Sequence, residues 1–142
     1  MTVQDEPDTQ PGIMPSISNA LLELGYKAKI EGNIVESATS GYHFGVRFVG
    51  ESVQLSVPVT NDMKFQLSDA NEFNALYRFA KIYLDEDEDI LLTCDFFATE
   101  ADIVPLFKRF MPLWDHLVGV FANLLSSVRD RNPAGTSDKS EV

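Results

Sequence analysis

Residues 42–59 read "YHFGVRFVGESVQLSVPV", and they limit the fold more than any other stretch of the chain. Tyr42, Phe44, Val46 and Phe48 alternate with His43, Gly45 and Arg47. After Gly50 and Glu51, Val53, Leu55, Val57 and Val59 alternate with Gln54, Ser56 and Pro58. Successive side chains of a strand point to opposite faces, so two such runs joined by a tight turn predict an antiparallel hairpin with one apolar face. That face needs a cover. Pro58 has no N–H to give, which puts its end of the strand at an edge or a bulge.

The cover is predicted at the other end of the chain. Ile103, Leu106, Phe107, Phe110, Leu113, Trp114, Leu117, Phe121, Leu124, Leu125 and Val128 keep the i, i+3, i+4 spacing of one long helix face. Pro112 falls inside it and costs about 3 kcal/mol in a helix interior, so a kink or a brief break is expected there. Pro105 falls in the first turn, where it is tolerated. Val104, Met111, Val118 and Val120 lie off the main stripe and widen the apolar arc. A second buried side is therefore expected, against another subunit or a bound segment.

The remaining elements are shorter. Ile17, Leu21, Leu22 and Leu24 predict a helix over 16–24, with Ser16 as N-cap and Gly25 as its left-handed terminator. "YKAKIEG" and "NIVESA" read as extended pieces broken at Gly32-Asn33, a natural hairpin turn. "SDANEFNALY" changes to a helical rhythm, with Ala70, Phe73, Leu76 and Tyr77 on one side and Ser68 or Asp69 as the cap. "RFAKIYL" and "DILLTCDFF" are extended again. The order is helix, three strands, helix, two strands, long helix. This is an α+β fold in which helices pack on one antiparallel twisted sheet. One domain is expected over 15–128, with patternless polar tails over 1–14 and 129–142 that are expected to be disordered.

Little in the chain looks like catalytic chemistry. Residues 85–89, "DEDED", have the D-x-D-x-D rhythm of a calcium loop, but Ile90 stands where Gly is required and Phe96 where a bidentate Glu is required. The reading preferred is a solvated hairpin tip. His43 and His116 have no Cys or second His at ligand spacing, and Asp115 diverges from His116 by about 100° around a helix. Cys94 is in phase with Ile90, Leu92 and Phe96, which predicts an inert buried thiol. No nucleophile elbow or phosphate-binding glycine loop is present in the sequence. The expectation is a protein that is not an enzyme and carries no metal and no cofactor.

Charge narrows the partners. The 22 acids and 11 bases give a net charge of −11, a field that repels nucleic acid and anionic lipid and favours basic partners. The start, "MTVQDEPDTQPG", resembles neither a secretory signal nor a transit peptide, and a lone cysteine suits a reducing compartment. A cytoplasmic protein is expected, with no membrane association.

The stretch "NEFNALYRFAKIYLDEDEDILLTCDFF" resembles the YbjN-like family of bacterial proteins, carried as candidate regulators of sensory transduction. The resemblance rests on Asn71, Phe73, Asn74, Arg78, Phe79, Ala80, Tyr83, Leu84, Asp85 and Asp95, and extends more loosely over 16–126. Phe73 stands where the family usually has Trp. The family is similar in fold to type III secretion chaperones, which implies an α-β-β-β-α-β-β-α order and a cytoplasmic homodimer that holds a segment of a partner. The resemblance therefore implies a non-enzymatic protein-binding or regulatory module. The residues expected to carry it are Phe110, Trp114, Leu117 and Phe121 of the last helix, with Phe73 and Tyr77 near the dimer contact. The alternative is a small-ligand sensor with an apolar pocket on the sheet and His43 or Arg47 at its rim.

Overall fold

The computed structural model of the chain describes residues 12–132. The hairpin forms as β3 (Tyr42–Val49) and β4 (Ser52–Val59), with Val46 opposite Leu55 and Phe48 opposite Val53. Gly50 takes the positive φ, 64°, that the turn between them requires. Around this pair the chain builds one six-stranded antiparallel sheet. Its other strands are β1 (Lys29–Glu31), β2 (Ile34–Thr39), β5 (Ala80–Leu84) and β6 (Ile90–Phe97), in the order β1-β2-β3-β4-β6-β5. The expected α+β class and single antiparallel sheet are present. The turn at Gly32-Asn33 separates two true strands, so four strands, not three, precede the middle helix.

Pro58 lies in an interior strand, yet the β3–β4 ladder ends at the Gly45–Ser56 pair. Around Pro58 only the β6 side is paired, through Leu91. The missing N–H is accommodated by an edge that exists only locally.

Alternation sorts the sheet into two faces. Val35, Phe44, Val46, Phe48, Val53, Leu55, Val57, Ile82, Ile90 and Leu92 are all buried on one of them. Two helices cover it: α1 (Ile13–Glu23) and α3 (Ile103–Arg131). Trp114 is fully buried and meets the Phe44 ring edge-on, with centroids 5.7 Å apart at 69°. This is the favourable aromatic geometry. The second buried side of α3 is supplied by the same chain. Met111 and Val118 are buried, and α1 packs along α3 with its own Ile13, Ile17, Ala20 and Leu21, while Lys108 pairs with Glu23 at the rim. Much of the wide arc is thus explained without a partner.

Helix boundaries depart from expectation for identifiable reasons. The first helix starts at Ile13, not Ser16. Ile13 is buried, and Pro15 sits in the first turn, where no intrahelical N–H bond is lost. Its end follows expectation: Gly25, at φ 95°, donates to the Leu22 carbonyl while Tyr26 donates to Leu21, a paired left-handed termination. The middle helix α2 (Leu67–Leu76) is capped upstream of the expected Ser68 or Asp69, by Gln66, whose N–H donates to the Asp69 carboxylate at 2.9 Å. The long helix runs unbroken through Pro112. That residue is on the exposed side, where a carbonyl left without its helical partner can be solvated. The helix also continues past 128, because the Arg131 guanidinium bonds both oxygens of the buried Asp69, at 2.9 and 3.1 Å. From 133 onward, and before residue 12, the expected tails lie outside the described residues.

Trp114→Ala removes the largest side chain of the core and should cost about 3–5 kcal/mol. Urea denaturation followed by circular dichroism checks this, with a lowered midpoint as the expected result.

Candidate partner-binding surface

The six residues expected to carry binding do not share one surface. Trp114, Leu117 and Phe121 point into the sheet and are buried. Phe110 is half-buried against Phe96, their centroids 4.8 Å apart. Phe73 is buried too, stacked on half-buried Tyr77 at 4.7 Å. Within a single chain, a substitution at Trp114 therefore reports on folding and not on contact. Among the described residues, Phe73 and Tyr77 line a surface recess.

That recess is a groove of about 310 Å³ between α2 and the outer flank of α3. Phe73, Leu76 and Tyr77 line one wall and Val120 and Leu124 the other, with Glu72 the one charged residue among its walls. Leu76 is 74% exposed, and Leu67 at the other end of α2 is 63% exposed. Exposed leucines beside an apolar groove are what a contact surface looks like before it is covered. Val120 stood out in the sequence as lying off the main stripe. Leu76 did not, because helical spacing set it with the buried residues.

The groove exists because α2 is docked on β5 and not laid against α3. The Asn74 side chain donates to the Ile82 carbonyl at 2.9 Å and accepts from the Ile82 N–H at 2.8 Å. It acts as one residue of a missing neighbouring strand and closes that part of the β5 edge. At the far end of α2, the Asp69–Arg131 pair ties it to the last turn of α3. Sheet-edge binding of a peptide is thereby hindered at the middle of β5, and the opposite edge strand, β1, is three residues long and has Lys29 and Glu31 on it.

Other residues of the recognisable stretch are structural in the same sense. Asp85 shapes the turn: its Oδ1 accepts from the N–H groups of Asp87 and Asp89, at 2.9 and 3.0 Å. Asn61 braces the turn from outside, donating to the Glu88 carbonyl and, from its N–H, to Asp89. Among the described residues no group of three or more His, Cys, Asp or Glu side chains could hold a metal ion. Asn71 and Arg78 are exposed, Phe79 is 64% and Tyr83 46% exposed, and Leu84 packs partly on the core.

The chemically active side chains are committed elsewhere. Asp115 accepts hydrogen bonds from the Tyr26 and Thr39 hydroxyls, so it fastens α3 to β2 and to the β1 lead-in. His116 is exposed beside it. The Cys94 thiol donates to the Phe79 carbonyl at 2.6 Å. Burial, with Asp95 next to it, pushes that thiol from 9.0 up to about 12. Burial and Asp115 raise the Tyr26 hydroxyl as well. His43 is exposed on the uncovered face of the sheet, beside a shallow dip over Gly45; Arg47 does not line that dip. No helix among the described residues is long and apolar enough to cross a membrane.

Two predictions follow from these bonds. Asn74→Ala strands two backbone groups of Ile82 and should cost roughly 1–3 kcal/mol, with faster amide exchange at Ile82 as the local readout. The Cys94 proton is held more tightly in the folded chain than in the unfolded one. Its contribution to stability is therefore full below about pH 9 and is lost as pH rises toward 12. Denaturation midpoints should fall over that window, and Cys94→Ala should reduce the fall to the part due to Tyr26.

A family model named YbjN, described as "Putative bacterial sensory transduction regulator", matches residues 16–104. A crystal structure of YbjN from E. coli, described as "a putative transcription regulator", is similar at TM-score 0.55 and 13% identity. The likeness covers 77% of this chain and 90% of that one, and it is a likeness of fold. Comparison with curated proteins finds no match.

Proposed function

The chain belongs to the YbjN family, and from that premise we propose that it is a non-enzymatic regulatory module that holds a segment of a partner protein. The observation that carries this reading is the α2–α3 groove, apolar along both walls and bordered by the largely exposed Leu76. A helical segment suits it better than an extended one. Extended peptides bind by adding to a sheet edge, and Asn74 already occupies the β5 edge at Ile82. Anchors at i and i+3 or i+4 of such a helix would enter between Phe73 and Tyr77 on one side and Val120 and Leu124 on the other.

Homodimerisation is part of the proposal, with Phe73 and Tyr77 next to the contact. A chain of net charge −11 repels its own copies, so self-association needs a patch poor in charge. The groove, with Glu72 the one charged residue among its walls, is such a patch, so a second copy and a partner helix would compete for it. The remaining acidic surface, including Glu86, Asp87 and Glu88 of the β5–β6 turn, would steer a basic partner toward the module. A cytoplasmic setting fits this role.

Leu76→Asp and Leu124→Asp are the test. Each should leave the circular dichroism spectrum unchanged, convert the dimer to monomer in sedimentation velocity, and lose a protein captured by the wild type. A strict monomer across micromolar concentrations removes the dimer, and capture that both variants retain removes the groove.

A further inference from the structure

The face of the sheet opposite the helices has two adjoining depressions. One, about 280 Å³, is the slot left where the chain runs past β2 before β1 begins; Lys27, Lys29, Glu36, Ser37 and His43 stand in its walls. The other, about 390 Å³, is the dip over Gly45, bounded by Ile34, Glu36, His43, Ser56 and Pro58. Glu36 and His43 belong to both, so together they make one recess across β1 to β4.

Its charges are unspent. Among the described residues, Lys27, Glu36 and His43 have no ion-pair or side-chain hydrogen-bond partner, and Lys29 has only an exposed pairing with Glu31 at 3.6 Å. Such exposed pairs contribute little and exchange readily. In a chain with half as many bases as acids, two lysines beside a free carboxylate are a local exception.

The order of these groups follows from the register. Lys29 is opposite Glu36, and Glu36 is opposite Gly45. From the edge inward the recess presents cations, then a carboxylate, then a position without a side chain. A β-carbon at Gly45 would come within 3.2 Å of Ile34 Cγ2, so the dip depends on glycine. Glycine inside a strand weakens the sheet and marks places where another molecule approaches closely. Opposite residues on neighbouring strands stand about 5 Å apart, a spacing on which one small molecule meets both charges.

We propose that this recess binds a free α-amino acid with an apolar side chain. Its carboxylate meets Lys27 and Lys29, its ammonium group meets Glu36, and its side chain lies over Gly45 between Ile34 and Pro58. A simple anion would leave Glu36 opposed to it, and a simple cation would be repelled by the lysines; a zwitterion satisfies both. The site rests on the open face alone and stands whether or not the α2–α3 groove holds a partner.

Calorimetric titration of the full chain with leucine, isoleucine and phenylalanine tests this. Saturable one-site binding is expected. N-acetyl-leucine and leucine amide, each lacking one charge, should bind roughly tenfold more weakly. Lys27→Gln and Glu36→Gln should weaken leucine by a similar factor, while Lys81→Gln, on the same face at β5, leaves it unchanged. Gly45→Val should weaken leucine more than glycine. Absence of saturable binding for all three amino acids overturns the proposal. So does leucine binding that Glu36→Gln leaves intact, and so does N-acetyl-leucine binding as tightly as leucine, which would reduce the recess to an anion site.

Discussion

Everything in this fold depends on a sheet with one apolar face and a helix broad enough to cover it. Trp114 against Phe44 is the centre of that contact, and Phe107, Phe121 and Leu125 extend it along α3. A buried aromatic contributes through its area and its ring geometry together. The sheet is open, so its second face is left to solvent, and α1 rather than a partner fills the remaining flank of α3. Two surfaces result from this single constraint: the uncovered sheet face and the flank of α3 that α2 does not reach.

Polar contacts then fix what hydrophobic burial leaves loose. Asp69 with Arg131, Asn74 with Ile82, and Asp115 with Tyr26 and Thr39 each join elements that are distant in sequence. Each belongs to an element that lies at the border of the core and would otherwise be free to shift. Burial is not directional and would tolerate α2 in several positions, whereas a side-chain amide bonded to both groups of one residue tolerates one. The groove keeps its width because α2 is held at both ends, by Asn74 and by Asp69.

Periodicity made the faces legible. The alternation of 42–59 and the stripe of 103–128 describe the core almost residue by residue, and the acidic run was readable as a turn because both calcium positions were wrong. What periodicity cannot show is where a helix is docked. Leu76 shares its helical face with Phe73, yet one is exposed and the other buried, because Asn74 turns α2 toward β5. Trp114, Leu117 and Phe121 looked suited to a partner for a related reason: α1 has the short apolar pattern of any small helix, and nothing in it announces that it would cover α3. The boundary at 128 was missed because Arg131 extends the helix through a long-range ion pair that local pattern does not contain.

The two surfaces differ in a way that bears on regulation. The α2–α3 groove is apolar and nearly uncharged, while the open face alternates lysines, carboxylates and small residues around Gly45. They lie on opposite sides of the same sheet. Any coupling between them must pass through the sheet itself, for β2 and β3 carry Glu36 and Gly45 outward and Val35, Phe44 and Val46 inward against the helices. Interiors packed this closely respond to small shifts of a strand, so a ligand clamping β1 to β3 on one face would act on the bed on which α3 rests on the other.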